Sequence, residues 1–486
     1  MCDKSNCNHL SGPSDCAGCH RGGTTRVKSL CDYLGSPSDC AGGYLWGAQA
    51  SVSLSDVLLG TSLGGRRSEL SGRSILLRTD DPLAAALAML ELDGIARRLV
   101  ICPPDVPAQH LPALMAKADV DAIVSDRDLR HVGPAGVTPC FRARCALSRC
   151  DAFAFDACAT EWVLLTSGTT GAPKMLVHNL AALTGAIKWG QFEASEVVWG
   201  TFYDIRRYGG LQIFLRAIIG RRPLVLPHAG ESPTDHLLRL GARGVTHLSG
   251  TPTHWRRALM NTALRAIAPR YIRLSGEVAD QAILNALRSF FPKAIVGHAY
   301  ASTEAGVGFE VNDGLEGFPS DLIGRKGDVE MKVQDGSLRI RSNRTASRWL
   351  GEEESPLVDP EGFVDSADMV EQRGNRCYFL GRRSGVINVG GLKVYPEEVE
   401  ALINRHPSVL MSCVRSRRNP ITGALVVADV VLRQHESCTN GKGKKLELEI
   451  LKICRETLPR HKVPAALRFV ADLAVAQTGK MGRSNA

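Results

Sequence analysis

The sequence feature that most constrains the fold is an alternation of short apolar segments with helical segments that begins at Ser74. The segment SILLR is followed by PLAAALAMLELDGIARR, LVICPP, HLPALMAKADV and DAIVSD, and the rhythm recurs at LQIFLRAIIGRRPLVLP and DHLLRLGARGVTHLSG. Buried strands that alternate with helices are typical of a parallel, doubly wound sheet. The sequence therefore predicts an α/β fold whose large N-terminal doubly wound domain covers residues 74–383.

Two further units are predicted after this alternation. The segment DVEMKVQDGSLRIR reads as two strands around a turn at Asp335 and Gly336, which indicates a β-rich subdomain with an antiparallel hairpin. The chain then ends with a helix (PEEVEALINRH), a strand pair (VLMSCVRS and ALVVADVVL), a helix (LEILKICRETL) and a strand (LRFVAD). These elements predict a small, mobile α+β C-terminal domain over residues 384–486.

Length and charge narrow the class of protein. A chain of 486 residues exceeds what one hydrophobic core usually covers, so two or more domains are expected. The net charge of +9 comes from Lys and Arg that are interleaved with acidic residues, which argues against a nucleic-acid partner. No apolar run approaches the ~20 residues of a membrane span, and the first residues do not resemble a signal peptide. We therefore expect a cytoplasmic protein.

The N-terminal segment, residues 1–73, is rich in Cys and Gly. Its composition favours a partly disordered segment, while zinc binding by the thiols and covalent haem attachment at the CxxCH sequence ending at His20 are the alternatives. The sequence leaves open whether the cysteines bind metal. Six cysteines fall within the first forty residues: Cys2, Cys7, Cys16, Cys19, Cys31 and Cys40.

The segment WVLLTSGTTGAPK carries the strongest local signal for chemistry. A buried strand runs into a loop of glycines and hydroxyl side chains, and glycine lets backbone N–H groups approach an anion closely. The spacing differs from that of the GxxxxGK[ST] phosphate loop, so a nucleoside triphosphatase is the poorer interpretation. The predicted phosphate-binding residues are Thr166, Ser167, Gly168, Thr169, Thr170, Gly171 and Lys174.

This loop resembles the signature of the adenylate-forming (AMP-binding) superfamily, of the acyl- and aryl-CoA synthetase type. The resemblance continues in order through SGE, AYASTEAG, GSLRIRS, GFVDSAD, GRRSGVINVGGLKVYPEEVE, LPRHKVP and QTGK. It covers the chain from about Ile75 to the C-terminus. One such motif alone is weak evidence, whereas the ordered series is specific.

The resemblance assigns roles to matching positions. It implies that the loop and Lys174 hold the β and γ phosphates of ATP, that Thr303 contacts the α-phosphate, and that Glu304 binds Mg²⁺. Lys480 would bridge the substrate carboxylate and the α-phosphate in the transition state, so Lys480, Thr303 and Glu304 are the expected catalytic residues. The implied adenine and ribose contacts are Gly276, Glu277, Ala299, Tyr300, Asp368 and Arg382.

The implied reaction has two steps. A carboxylate attacks the α-phosphorus of ATP to give an acyl adenylate and pyrophosphate, and CoA then takes the acyl group as AMP leaves. The C-terminal domain of the family rotates between the steps about a hinge that here falls at Ser384. Asn388 stands where many members have a lysine used in thioester formation, so loading of a carrier protein or an amine is an alternative, and an impaired metal-binding or regulatory homologue is another.

The region that lines the acid pocket in the family reads TFYDIRRYGGLQIF here. Arg206, Arg207 and Tyr208 could bind an anionic group on the substrate, or the arginines could form structural ion pairs. Ala301 replaces a common glycine at the pocket wall and would narrow it. We expect a stand-alone ligase whose partners are a small carboxylic acid and CoA or an acyl carrier protein.

Overall fold

A computed structural model describes most of the chain. It contains no helix, within those parts, that is long and apolar enough to cross a membrane. The described residues are 28–129, 138–149, 158–166, 173–188, 197–351, 356–420, 422–433, 442–476 and 479–482.

The first sheet has eight strands, and all of its pairings are parallel except those of the two outermost strands. Parallel pairing requires helical crossovers, as the alternation of the sequence predicts. In spatial order the strands are Gly306–Val311, Ile295–Ser302, Tyr271–Ser275, His247–Gly250, Trp199–Thr201, Leu224–Val225, Tyr44–Trp46 and Ser51–Ser53.

The second sheet has seven strands and is parallel except at the edge where Lys174–His178 pairs with both of its neighbours in antiparallel fashion. A separate short pair joins Gly60–Thr61 to Ser148–Arg149. In spatial order the seven strands are Arg348–Leu350, Lys174–His178, Glu161–Thr166, Arg98–Ile101, Ser74–Leu77, Ala122–Ser125 and Cys140–Arg142.

Helices cover both sheets, and one of them lies in a core that the two sheets share. Every residue of the helix Pro82–Leu92 is buried, because its sequence PLAAALAMLEL offers no polar face. Asp81 caps this helix by accepting a hydrogen bond from the Leu83 N–H, and Pro82 occupies the first turn. The other α-helices of the large domain are Leu30–Leu34, Leu54–Val57, Leu111–Lys117, Leu180–Thr184, Tyr208–Ile219, Pro233–Ala242, Pro252–Leu259 and Gln281–Phe290.

The third sheet is antiparallel and has five strands, which confirms the predicted β-rich subdomain. Asp335 and Gly336 both have positive φ, 54° and 75°, and form the tight turn of the predicted hairpin. In spatial order the strands are Phe318–Pro319, Arg376–Arg382, Val364–Arg373, Ser337–Ser342 and Val329–Gln334.

The elements after this sheet build a hydrophobic core of their own, and they follow the order that the sequence predicts. Ala466–Phe469 pairs in parallel with Gly423–Leu432, so the last strand closes a three-stranded sheet. The boundary of the C-terminal domain at Ser384 stays a prediction. The elements of this part are Ile387–Val389, Leu392–Val394, Pro396–Ile403, Val409–Asn419, Gly423–Leu432, Lys442–Thr457 and Ala466–Phe469.

Short 3-10 turns occur throughout the described residues, at Pro37–Cys40, Arg67–Leu70, Ala108–His110, Thr262–Ala266, Ser320–Leu322, Arg383–Gly385 and Arg460–Lys462.

Several residues of 28–73 pack against the first two sheets, while the extent of the N-terminal segment stays a prediction. Tyr44–Trp46 pairs with Leu224–Val225 inside the first sheet, and Leu30 and Leu34 are fully buried in the shared core. Burial raises the pKa of the Cys31 thiol to about 12, and its Sγ donates to the Leu90 carbonyl oxygen. No group of three metal-ligating side chains occurs in the described part of the chain, and Cys2, Cys7, Cys16 and Cys19 lie outside it.

The packing of these residues against the large domain can be tested with Leu34→Ala. This change removes a fully buried side chain, so we expect the free energy of unfolding of the large domain to fall by about 2–5 kcal/mol. Urea unfolding followed by circular dichroism measures it. Leu59→Ala is the matched control, since Leu59 lies in the same segment and is 57% exposed, and we expect a change below about 0.5 kcal/mol. Equal stability of Leu34→Ala and the parent would contradict this packing.

Candidate active site

The candidate site lies where the first and third sheets meet the C-terminal domain. We call the space bounded by Gly276, Tyr300, Asp368, Arg382 and Lys480 the interdomain cleft. Gly276 follows a parallel strand of the first sheet, and Tyr300 lies in the neighbouring strand. The carboxyl ends of parallel strands meet at one edge of a sheet, which is where such folds bind ligands.

A hydrogen-bonded group joins the first sheet to the third. The Tyr300 hydroxyl donates to Asp368 Oδ2 at 2.6 Å, and Arg382 Nε donates to Asp368 Oδ1 at 3.1 Å. Burial and the neighbouring Asp368 raise the pKa of Tyr300, so its phenol stays protonated. Its ring stacks on Phe379, with 5.2 Å between ring centroids. The predicted ribose and adenine residues therefore come together.

Ala367 immediately precedes Asp368 and adopts a left-handed conformation with φ of 57°. Glycine adopts such a φ without steric cost. Alanine is strained there. The Asp365 carboxylate holds the turn, because Oδ1 accepts from the Ala367 N–H at 2.9 Å.

Lys480 reaches the cleft from the far end of the chain. A Cβ placed on Gly276, whose φ is +87°, would lie 3.4 Å from Lys480 Cε, so the absence of a side chain at Gly276 leaves room for the lysine. Desolvation and the nearby Arg382 lower the pKa of Lys480, whose side chain still keeps part of its surface in contact with solvent, whereas Glu277 and Asp368 act in the opposite direction. The structure thus brings a lysine together with residues some two hundred positions earlier.

Backbone contacts on both sides of Lys480 fix its position. Glu277 Oε1 accepts from the Met481 N–H at 2.7 Å, while its Oε2 accepts from the Thr253 N–H at 3.0 Å. The Thr251 hydroxyl donates to the Gly479 carbonyl oxygen at 2.6 Å. Both carboxylate oxygens of Glu277 hold backbone N–H groups here, and its contact with adenine stays a prediction. Glu277 therefore positions the loop that carries Lys480.

The surroundings of residue 479 leave no room for a side chain, so glycine is required there. Its φ is +71°, and a Cβ at this position would lie 1.8 Å from Cε1 of His254. His254 in turn lies in the first turn of the helix Pro252–Leu259, which Thr251 caps by accepting from the His254 N–H. Sequence analysis missed Thr251 and His254, although a threonine followed by proline after a strand is a helix-start signal.

The structure describes the two ends of the predicted phosphate loop. Thr166 and Lys174 lie opposite each other in two paired strands, so the loop between them begins and ends at one edge of the second sheet. Lys174 Nζ lies 5.3 Å from the centre of the Trp349 ring. The predicted residues outside the described part of the chain are Ser167, Gly168, Thr169, Thr170 and Gly171.

His178 ties the second sheet to the predicted catalytic residues. Its Nε2 lies 2.9 Å from the Thr303 carbonyl oxygen, and because a carbonyl only accepts, Nε2–H donates. The next residue, Glu304, has a partly exposed carboxylate, and no hydrogen bond to it comes from the described residues. Its oxygens are the ligand type that a hard cation such as Mg²⁺ prefers, so Glu304 fits the expected role.

A small pocket includes two of the four residues predicted to line the acid pocket. Tyr208 and Ala301 line a pocket beside the first sheet, together with Tyr203. Arg206 and Arg207 do not line it. Both arginines instead form structural ion pairs, which is the alternative given in the sequence analysis.

The partners of the two arginines explain this outcome. Arg206 is 3% exposed, pairs with Asp204 at 2.7 Å and donates to the Thr79 carbonyl oxygen at 2.6 Å. Arg207 Nη2 lies 2.5 Å from Asp105 Oδ2. Both charges are neutralised within the large domain, and Arg206 is also closed off from solvent. The pocket residues that sequence analysis missed are Gln212, Ser249 and Arg273, which occur singly within a helix and two strands.

The predicted hinge residue, Ser384, is exposed and lies in the 3-10 turn Arg383–Gly385 between the third sheet and the C-terminal hairpin. A Cβ at Gly385 would meet no atom within 4 Å. The surroundings leave this turn room to move. Its role as a hinge stays a prediction.

The burial of His178 predicts a pH dependence of stability. Burial lowers the pKa of His178 to about 4, although its bond to Thr303 acts in the opposite direction. The unfolded chain takes up this proton near pH 6.5 and the folded chain near pH 4, so the free energy of unfolding falls as pH falls between these values. We expect His178→Gln to reduce that slope by up to about 1.4 kcal/mol per pH unit.

Urea unfolding of both proteins at pH 4.5, 5.5, 6.5 and 8 measures the difference. Between pH 7 and 8 His178 is neutral in the folded and the unfolded chain, so the free energy of unfolding should change with pH equally in the two proteins. This range is the control for each protein. Identical slopes below pH 6.5 would show that His178 is protonated in the folded protein.

Comparison with known proteins gives the same picture. The family described as AMP-binding enzyme matches residues 83–345, and the AMP-binding enzyme C-terminal domain matches residues 398–480. The chain is 27% identical over 360 residues to a 2-succinylbenzoate–CoA ligase of Salmonella typhimurium, which covers 71% of this chain and 73% of that protein. It is 24% identical over 352 residues to a mitochondrial acyl-coenzyme A synthetase of Mus musculus, which covers 66% of this chain and 60% of the mouse protein.

The fold is also that of an amide bond synthetase, McbA, from Marinactinospora thermotolerans. The TM-score is 0.74 at 18% identity, and the match covers 93% of this chain and 98% of McbA. At this identity the likeness concerns the fold alone. The two family matches together span more than half of the sequence. The chain belongs to the AMP-binding enzyme family, whose members form acyl adenylates.

Proposed function

We propose that this protein is an ATP-dependent acid–thiol ligase that activates a carboxylic acid as its acyl adenylate, releases pyrophosphate and transfers the acyl group to CoA. One observation carries the proposal: Lys480, from the C-terminal domain, lies in the interdomain cleft beside Gly276 and close to Asp368 and Arg382. The C-terminal domain places Lys480 among the residues predicted to bind the nucleotide, and a catalytic group is expected at such a position.

In the first step the substrate carboxylate attacks the α-phosphorus of ATP. Negative charge builds on the phosphoryl oxygens, and the Lys480 ammonium stabilises it electrostatically from a fixed position. Asp368 accepts hydrogen bonds from the ribose hydroxyls, with its orientation set by Tyr300 and Arg382. Thr303 holds the α-phosphate.

The β and γ phosphates of ATP bind to residues at the edge of the second sheet and to a metal ion. Thr166 and Lys174 bind the β and γ phosphates from the two ends of the phosphate loop. Glu304 would hold Mg²⁺, which neutralises phosphate charge when bound. His178 fixes the backbone immediately before this carboxylate.

In the second step a thiol attacks the acyl carbon and AMP leaves with the bonding electrons. The 2-succinylbenzoate–CoA ligase and the acyl-coenzyme A synthetase among the relatives support CoA as the acceptor. We propose Ser384 as the pivot that moves Lys480 out of the cleft before this step.

An amine or a carrier protein is the second candidate for the acceptor. Asn388 is exposed on the hairpin that follows the hinge, at the position where a lysine would assist thioester formation. Comparing AMP release with CoA and with amines separates the two acceptors.

The role of Lys480 is tested with Lys480→Met, which removes the charge and keeps most of the stem. We expect acid-dependent pyrophosphate release from Mg-ATP to fall by at least about 10²-fold, because the charge acts in the transition state. ATP affinity measured by calorimetry should change by less than about 5-fold. Lys326→Met, at a side chain that is 81% exposed, serves as the control and should retain the parent rate.

The assay screens aliphatic, aromatic, dicarboxylic and amino acids, each with and without CoA. Release that depends on an acid and rises with CoA supports the ligase. Release that ignores CoA would favour the second acceptor. Unchanged adenylation by Lys480→Met would remove this residue from the mechanism, and silence with every acid from protein that binds ATP would overturn the proposal.

The packing of Gly479 against His254 yields a second test. Gly479→Ala places a methyl group where the His254 ring lies and imposes a φ that alanine adopts only with strain, so the loop carrying Lys480 must move. We expect adenylation to fall at least about 10-fold while the thermal midpoint changes by a few degrees at most. Gly423→Ala, also at positive φ but with nothing within 4 Å of its Cβ, controls for backbone strain alone. Equal losses in both variants would contradict the packing argument.

A further inference from the structure

The contact between the large domain and the C-terminal domain is built around one helix. Pro252–Leu259 begins after Thr251, whose hydroxyl holds the loop that carries Lys480, and it is followed by Met260, which packs against an apolar cluster of the C-terminal domain. Arg256 lies between these two contacts and is 6% exposed. The helix that holds the lysine loop therefore also places a buried charge between the domains.

Arg256 is paired inside the large domain. Its Nη2 lies 2.5 Å from Asp280 Oδ2, and Asp280 is 5% exposed. Asp280 Oδ1 accepts from the Ile283 N–H at 3.0 Å and so caps the helix Gln281–Phe290. Both charges and their orientation are thus set within the large domain alone.

The C-terminal domain contributes neutral groups to this pair. Asn404 Nδ2 donates to Asp280 Oδ2 at 3.0 Å, and the Leu410 carbonyl oxygen accepts from Arg256 Nε at 3.2 Å. Asn404 is held within its own domain, because its Oδ1 accepts from the buried Ser412 hydroxyl at 2.9 Å. We call Arg256, Asp280, Asn404 and Leu410 the interdomain cluster.

The division of groups between the two domains suits a contact that opens and closes. In the proposed function the C-terminal domain rotates away after the first step. Arg256 and Asp280 then stay paired with each other, because both belong to the large domain. The departing domain takes only the amide of Asn404 and the carbonyl of Leu410. Separation therefore avoids an unpaired buried charge, the outcome that makes breaking other buried ion pairs costly.

Closing the interdomain cluster specifies an orientation more than it stabilises one. Its bonds replace bonds to water, so the net gain is modest, whereas a buried partner that is left unsatisfied loses the full value of its bond. The Asn404 amide reaches Asp280 Oδ2 in one placement of the C-terminal domain, which we call the docked orientation. In that placement Glu277 accepts from the Met481 N–H and so fixes the lysine loop.

We infer that Arg256, Asp280 and Asn404 are positioning residues for adenylation: they fix the docked orientation, which places Lys480 in the interdomain cleft, and they have no part in the transfer to the acceptor. They act through the orientation of the domain and not by contact with substrate. This inference rests on the proposed function and adds to it the residues that prepare the protein for the first of its two steps.

The first measurement needs no substrate. Asn404→Asp keeps the size of the side chain and the oxygen that accepts from Ser412, but it places a second carboxylate against Asp280, so it opposes the docked orientation. We expect hydrogen–deuterium exchange in the full-length protein to become at least about 10-fold faster in peptides that contain Met481 or the helix Pro252–Leu259.

Two controls separate docking from folding. Exchange in the strand Gly423–Leu432, which lies inside the C-terminal domain, should keep the parent rate and so show that this domain stays folded. Asn285→Ala changes an exposed asparagine of the helix that Asp280 caps, and it should leave the Met481 peptide at the parent rate.

The second measurement separates the two steps. With the acid that gives the fastest pyrophosphate release in the screen, Asn404→Asp should lower the rate of adenylation by at least about 10-fold. Transfer from the synthetic adenylate of that acid to CoA, followed as AMP release, should stay within about 3-fold of the parent. A general loss of structure would lower both rates, so the ratio of the two rates identifies a positioning role.

A compensating change supplies a rescue. Asp280→Asn/Asn404→Asp exchanges the two side chains, so the amide still caps the helix and donates to the carboxylate on the C-terminal domain. Arg256 then faces one carboxylate, as in the parent. Exchange and adenylation should return to within about 3-fold of the parent. Asp280→Asn alone leaves Arg256 without its carboxylate and should stay impaired.

The outcomes separate this inference from the proposed function. Parent-like exchange of the Met481 peptide in Asn404→Asp would overturn the inference alone, as would equal losses in the two steps without rescue. Silence of the parent protein with every acid would overturn the proposed function and, with it, the assignment of these residues to adenylation. Faster exchange, a loss confined to adenylation and rescue by the exchanged pair support both.

Discussion

Burial of the helix Pro82–Leu92 between two sheets is the constraint on which the rest of the structure depends. The helix is apolar on all sides, and its single charged residue, Glu91, accepts hydrogen bonds from Thr61 Oγ1 and the Ser62 N–H. A helix of this kind is stable only when protein covers it all round. Both sheets contribute to the core around it, so their relative placement is fixed. The candidate site depends on that placement, because His178 of the second sheet bonds to Thr303, which follows the first.

The sequence predicted those parts of the molecule whose signal is local or periodic. The alternation of apolar and helical segments predicted the parallel sheets, and the Asp335–Gly336 turn predicted the hairpin. Leu30 and Leu34 were missed, because a helix of five residues is too short for the 3.6-residue period to be visible. Their burial depends on the helix Tyr208–Ile219, which lies far along the chain.

The candidate site also contains residues that sequence motifs predict and residues that no motif predicts. Ordered motifs gave Asp368, Arg382 and Lys480, and these do come together. For Arg206 the sequence left a substrate contact and a structural ion pair open, since a sequence cannot show that Asp204 and two backbone carbonyls surround its guanidinium. Ser249 and Arg273 lie singly within two short strands and form no pattern. Only the register of two strands, set by tertiary structure, makes them neighbours.

The interface that positions Lys480 contains a buried polar cluster beside an apolar one. Arg256 pairs with Asp280 at 2.5 Å and donates to the Leu410 carbonyl oxygen, while Asn404 bonds to the same carboxylate at 3.0 Å. Burying such a pair costs desolvation that roughly offsets its attraction, so its net stabilisation is small while its geometric demand is strict. An apolar interface of equal area would hold the domains together more strongly and specify their orientation less. The polar cluster thus orients the part of the chain that carries Lys480 strictly, while it adds little to the free energy that holds the two parts together.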